Sequence, residues 1–258
     1  MTIPDLQSQT DPRNIVIDKV GVKGLRYPIV VEDRSSGTQH TVADLNIYVE
    51  LPHHMRGTHM SRFIEILHHY HTEALIGSLP HFLAELKASL KAEAAYIDIC
   101  FPYFVNKKAP VSGIESLLSY DCVFTASLDD DFDLLIGVIV PVTTLCPCSK
   151  EISVAGAHNQ RSLITIKVSY TGFVWLEELI EIAESAASCE IYSLLKRVDE
   201  KYVTEHAYEN PKFVEDIVRD IALKLQDDPR IKSFYVESEN AESIHLHNAY
   251  AKISRPQK

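Results

Sequence analysis

A pair of amphipathic helices with two strand-like runs on either side occurs twice along this sequence, and that order constrains the fold more than any other feature. Asn14 to Lys23 and Thr41 to Leu51 have the β-branched content and turn boundaries of strands. After Ser61, a candidate N-cap, Phe63, Ile66, Leu67, Tyr70 and Ala74 recur at helical spacing. Leu79, Phe82, Leu83, Leu86 and Leu90 do so after Ser78, with Pro80 in the first turn. Tyr96 to Phe101 and Asp121 to Leu128 return to strand character. The second half runs the same way. Leu134 to Val142 and Ser162 to Tyr170 read as strands, the latter alternating Ile164, Ile166 and Val168 against Thr165, Lys167 and Ser169. One long helix is expected from Leu176 to Val198 and another after Asn210 and Pro211, followed by strands Ile231 to Glu237 and His245 to Ile253. The expectation is an α+β fold with a leader over 1–13 and two ββααββ modules, 14–131 and 132–258, each an antiparallel sheet with paired helices on one face.

Composition narrows the function classes. Hydrophobic residues make up 46% of the 258, enough for a core and against disorder. The longest apolar run, Leu134 to Val140, falls far short of the ~20 residues of a membrane helix, and Met1 to Arg13 has no apolar signal core. The reading is a soluble, cytoplasmic protein with no membrane partner. With 25 basic and 36 acidic side chains the net charge is −11, which argues against nucleic acid as a partner. Five cysteines, an odd number, read as reduced thiols. Cys100, Cys122 and Cys189 sit in apolar runs and are expected to be buried and inert.

Three clusters carry possible chemistry. Cys146, Cys148 and His158 fall in an irregular stretch between two strands. Thiolate and imidazole suit a borderline metal, but C-x-C followed by a histidine ten residues on is not a zinc knuckle, so a loop of packing thiols stands beside a metal loop. Glu242 precedes a strand expected to carry His245 and His247 on one side, a pairing suited to acid and base work near neutral pH, or else a solvated rim. The stretch His53 to Arg62, with Arg56, His59 and Arg62, leads into a helix N-terminus, as an anion site would, or is a surface loop with scattered cations. Glu215 and Arg219, at i and i+4, read on spacing alone as a surface ion pair.

Together these blocks resemble GTP cyclohydrolase of type IB. The resemblance spans nearly the whole chain. It is carried by Asp11-Pro12-Arg13, by Arg56 to Phe63, by Pro141 to Ser149 with His158 to Arg161, and by Asn210 to Asp216. It implies a tunnelling fold assembled as a homotetramer with active sites at subunit interfaces. It further implies one divalent cation (Mn, Zn or Fe) held by Cys146, His158 and Glu200, with His245 close by as ligand or proton carrier. Glu215 becomes the purine anchor in place of an ion-pair partner. Glu242 and His245 become acid and base candidates, Cys148 a nearby thiol, and Arg56, His59 and Arg62 the triphosphate holders. The implied reaction is hydrolysis of GTP at guanine C8, with loss of formate, to 7,8-dihydroneopterin triphosphate, the entry to tetrahydrofolate. Competing readings are a relative that forms a cyclic-phosphate pterin, an NADPH-dependent nitrile reductase, and a non-enzymatic purine or pterin binder.

Overall fold

The computed structural model describes residues 6–7, 9–70 and 74–256; parts of the leader and of the first helix expected above, residues 1–5, 8 and 71–73, lie outside them. The elements are β1 (Ile17–Asp33), β2 (Gly37–Leu51), α1 (Met60–Tyr70), α2 (Leu75–Leu90), β3 (Ala95–Lys108), β4 (Glu115–Leu128) and β5 (Phe132–Leu145). There follow α3 (Pro147–Ile152), β6 (Asn159–Tyr170), α4 (Leu176–Ala186), α5 (Arg197–Glu209), α6 (Val214–Asp227), β7 (Ile231–Glu242) and β8 (Asn248–Arg255). The strands form an eight-stranded sheet in chain order, β1 to β8. Contacts group the chain into two compact units, Met1–Phe101 with Val123–Leu135, and Pro102–Cys122 with Ile136–Lys258.

In the first unit the period-2 pattern of β2 buries Ala43, Leu45, Ile47, Val49 and Leu51. Helices α1 and α2 cover that face with Phe63, Ile66 and Leu67, and with Leu79, Phe82, Leu83, Leu86 and Leu90. Each such side chain contributes roughly 1.5–3 kcal/mol. Two expectations need correction. β1 does not stop at Lys23: Gly24 takes φ +68° at a bulge in the pairing with β2, and the strand runs on through Pro28 to Asp33. As first strand of the order, β1 tolerates the amide a proline lacks. Helix α2 starts at Leu75, so Ser78 lies inside it with its hydroxyl donating to the Leu75 carbonyl.

In the second unit α6 lays Val214, Ile217, Val218, Ile221 and Leu225 on β7 and β8, and α4 packs on α6 and β6. The single helix expected over 176–198 breaks after Ala186. There the chain crosses to β5, where Thr143 and Cys189 exchange backbone hydrogen bonds of 2.9 and 3.1 Å. Burial pushes the Cys189 thiol up to about 11, with the Glu190 carboxylate adding to the effect, so it stays protonated and inert. Cys122 is also buried, but Cys100 is exposed on the outward side of β3, contrary to expectation; none of the five cysteines is in a disulfide.

A charged cluster with a buried pair, Lys107 and Glu184, and a part-exposed Glu190 lies in this unit. Lys107 Nζ lies 2.6 Å from both Glu184 and Glu190, and the Tyr120 hydroxyl donates to Glu184 at 2.6 Å. Burial pushes the Glu184 carboxyl up, and Lys107 works against it. Removing one partner of a buried pair leaves the other charge uncompensated, so Lys107→Met is expected to lower the unfolding free energy by about 3–5 kcal/mol in urea titration. A loss under about 1 kcal/mol would show that the cluster is solvated.

Candidate active site

Strand β5 ends at Leu145, and the next residue, Cys146, caps the six-residue α3 with Pro147 at its first position. The thiol accepts from the Ser149 amide at 3.4 Å. The backbone around it is tied on all sides. Cys146 N donates to the His158 carbonyl, Ser149 Oγ donates to the Cys146 carbonyl, and His158 N donates to Ser149 Oγ, at 3.1, 3.1 and 3.2 Å. One residue earlier, Leu145 N donates to the buried Ser188 hydroxyl at 3.0 Å, and Lys212 N donates to the Leu145 carbonyl at 3.1 Å. The two potential ligands of this loop are thus fixed to one another and to the start of α6.

Cys146, His158, Gln160, Lys212, Glu215, Glu242, His245 and His247 line one cleft of about 290 Å³. His158 Nδ1 is buried without a hydrogen-bond partner among the described residues, and it stands 3.6 Å from Glu242 Oε2. A buried polar atom without a partner costs about 1–3 kcal/mol. A cation between imidazole and carboxylate would satisfy both groups, and a thiol on the same cleft completes a donor set of borderline character. Among the described residues, no three His, Cys, Asp or Glu side chains already converge to ligating distance.

His245 and His247 do not share a strand, because β8 starts at Asn248; they are exposed in the turn between β7 and β8, their rings stacked 4.9 Å apart at 13°. Glu215 stands exposed in the first turn of α6, where Asp216 caps the Phe213 amide at 3.0 Å. The ion pair with Arg219 that spacing alone suggested, before the resemblance replaced it, is not found among the described residues, where Arg219 stands 3.9 Å from Asp216 instead. Cys148 is exposed on α3 and does not line the cleft. Nor does Glu200, exposed in the first turn of α5. That turn is anchored by Asp199, whose carboxylate accepts from the Val111, Ser112 and Lys196 amides and the Ser112 hydroxyl at 2.6–2.9 Å.

Arg56, His59 and Arg62 belong to the first unit. His59 and Arg62 line a cavity of about 240 Å³ with His54, Thr58 and Lys91. Arg62 donates to the Ser89 carbonyl at 2.7 Å. Arg56 points elsewhere, donating to Gln9 Oε1 at 2.9 Å. Thr58 Oγ1 is buried without a hydrogen-bond partner among the described residues. Sequence spacing did not single out Thr58, Lys91, Lys212 or Gln160. The readable signal for Gln160 was a polar side chain in the inward phase of a strand, at the end of the run Val168, Ile166, Ile164, Ser162.

A family model described as type I GTP cyclohydrolase folE2 matches residues 3–251. The chain belongs to that family. Curated relatives named GTP cyclohydrolase FolE2 agree over nearly the full length of both partners. The one from Geotalea uraniireducens is 57% identical over 251 residues, 97% of this chain and 93% of the relative. That from Geobacter sulfurreducens is 56% identical over 253 residues, 98% of each. Among solved structures, a uricase from Bacillus fastidious superposes with a TM-score of 0.58 at 10% identity, covering 92% of this chain and 93% of that one. A urate oxidase variant from Bacillus sp. TB-90 gives 0.56 at 13%, covering 93% and 99%. Likeness at such identity concerns the fold, and the fold is the tunnelling fold expected from the sequence.

Proposed function

We infer that this folE2-family member is a GTP cyclohydrolase that opens the guanine ring at C8, releases formate and forms 7,8-dihydroneopterin triphosphate, the first step toward tetrahydrofolate. The observation that carries the site assignment is the buried His158 Nδ1, unpartnered among the described residues, facing Glu242 in the cleft that also holds the Cys146 thiol and Glu215. Glu215 accepts from guanine N1–H and the exocyclic amine together, which orients C8 toward Cys146 and His158. Cys146 and His158 would hold a divalent metal, Mn, Zn or Fe, with Glu242 the carboxylate at hand; of the two further residues that the family resemblance implies, His245 lines the cleft and Glu200 does not. When bound, such a cation lowers the pKa of a coordinated water toward neutrality and so supplies hydroxide for C8. His245, in a solvent-facing turn, delivers a proton to N9 as the C8–N9 bond breaks. Glu242 takes a proton from the second water as that water adds to the formyl carbon and returns it to N7 as formate leaves. The ribosyl chain then rearranges and closes on the freed amine.

The triphosphate is received by the cavity of His59, Arg62, Lys91 and Thr58 of a second subunit, its guanidinium, ammonium and a hydroxyl unpartnered among the described residues matching phosphate oxygens. The working form is a cytoplasmic homotetramer of chains built from two tandem modules, 14–131 and 132–258, with sites at subunit boundaries. Support for an interface comes from large apolar residues on the second unit: Ile152 is 85%, Val154 106% and Leu246 103% exposed.

Incubation of manganese-loaded protein with GTP is expected to release one formate per pterin, with neopterin fluorescence after oxidation and no need for NADPH. A product mass lacking the linear triphosphate, or GTP bound without formate release, would overturn this reading.

A further inference from the structure

Three strands meet in register beside the cleft, Thr144 of β5 opposite Gln160 of β6, which is opposite Glu242 of β7. The row is hydrogen-bonded from end to end. Thr144 Oγ1 donates to Gln160 Oε1 at 2.9 Å, and Gln160 Nε2 donates to Glu242 Oε2 at 2.9 Å. Because the Thr144 proton is committed to Gln160, the 2.8 Å contact between the Thr144 and Ser162 hydroxyls is filled by the Ser162 proton. Thr144 and Ser162 are 0% exposed and Gln160 is 6% exposed, so each depends on its neighbours in the row for partners.

This direction of donation fixes the amide. With Thr144 bound to Oε1, the NH2 group must face Glu242; turned over, the amide would set its carbonyl oxygen against a carboxylate oxygen. The Glu242 oxygen that it holds is the same Oε2 that stands 3.6 Å from the unpartnered His158 Nδ1. Valine and leucine would pack the row at lower desolvation cost, so the polar ladder needs a reason, and it leads through Gln160 to the carboxylate in the cleft.

We propose that Gln160 is a positioning residue: oriented by Thr144 and Ser162, it holds Glu242 beside His158 and thereby sets the affinity of the cleft for a divalent cation. The proposal rests on the metal-dependent reading above. Partners of this kind, one step out from the metal, typically control affinity or activity by about 10- to 100-fold.

The test is Mn2+ binding to metal-free, full-length protein, followed by the electron paramagnetic resonance signal of free Mn2+, for wild type, Cys146→Ala, Gln160→Leu and Thr144→Val. Gln160→Leu is expected to weaken Mn2+ binding by about tenfold or more, and Thr144→Val, of equal shape, by a smaller factor in the same direction. In the turnover assay kcat falls while KM for GTP stays near wild type. If wild type binds Mn2+ and Cys146→Ala does not, yet both row variants bind like wild type, the proposal is wrong and the metal reading stands. Wild type that fails to bind Mn2+ sinks both. A rise in KM for GTP at unchanged Mn2+ affinity makes Gln160 a substrate contact and overturns the positioning role. Should Gln160→Leu not fold, Thr144→Val decides alone.

Discussion

Cys146→Ala is expected to reduce formate release from GTP by about 10³-fold or more while leaving the fold intact. The magnitude follows from losing several kcal/mol of metal-centred stabilisation at about 1.4 kcal/mol per decade. The fold should survive because the residue is held by its backbone. Its amide and carbonyl keep their bonds to His158, Lys150 and Ser149, and only a weak 3.4 Å contact to the thiol disappears. Thermal unfolding of the metal-free protein should therefore match wild type, while metal content after dialysis falls. An alanine variant with wild-type turnover and metal content removes the proposed centre altogether.

Glu215→Gln should cost about 10³-fold in kcat/KM for GTP. Two charge-assisted hydrogen bonds to the guanine edge, at about 1.5–3 kcal/mol each, set the scale. The change also has a chemical signature. A carboxylate offers two acceptors, matching guanine N1–H and the exocyclic amine; a carboxamide offers one acceptor and one donor, matching N1–H and the C2 carbonyl of xanthine. Binding of xanthosine triphosphate should thus improve in the variant while binding of GTP weakens. Stability should not change, since Glu215 is exposed in a helix first turn and caps nothing. Unaltered discrimination between the two nucleotides would place the purine somewhere other than at this helix.

Most of the architecture could be read from periodicity, because the elements that bury one face carry the period that buries it. The α6 stripe Val214, Ile217, Val218, Ile221, Leu225 and the β6 alternation both match the observed burial. Departures arose where a tertiary contact overrode a local signal. Gly24 and Pro28 look like strand breakers, yet a bulge and a place at the start of the sheet accommodate them. The helix-like run through Ala187 and Cys189 is cut because its backbone bonds to Thr143. The candidate site was legible in a different sense. Cys146 and His158 lie on one loop, so proximity in sequence served, whereas Glu242 joins them only through the pairing of β6 with β7. The contribution of Gln160 was invisible for the same reason: positions 144, 160 and 242 share no spacing rule until three strands are aligned. Glu200, placed by resemblance, lies on a turn anchored by its neighbour Asp199, outside the cleft lining.

Strand β8, eight residues long, closes the sheet order with β7 as its one neighbour there among the described residues, and β1 opens that order at the other end. Main-chain amides and carbonyls along such borders stay hydrated in a lone chain but can zip onto the border of another copy. Catalytic output should therefore scale more steeply than linearly with protein concentration at high dilution, and a lag that shortens as enzyme is added would be its kinetic trace.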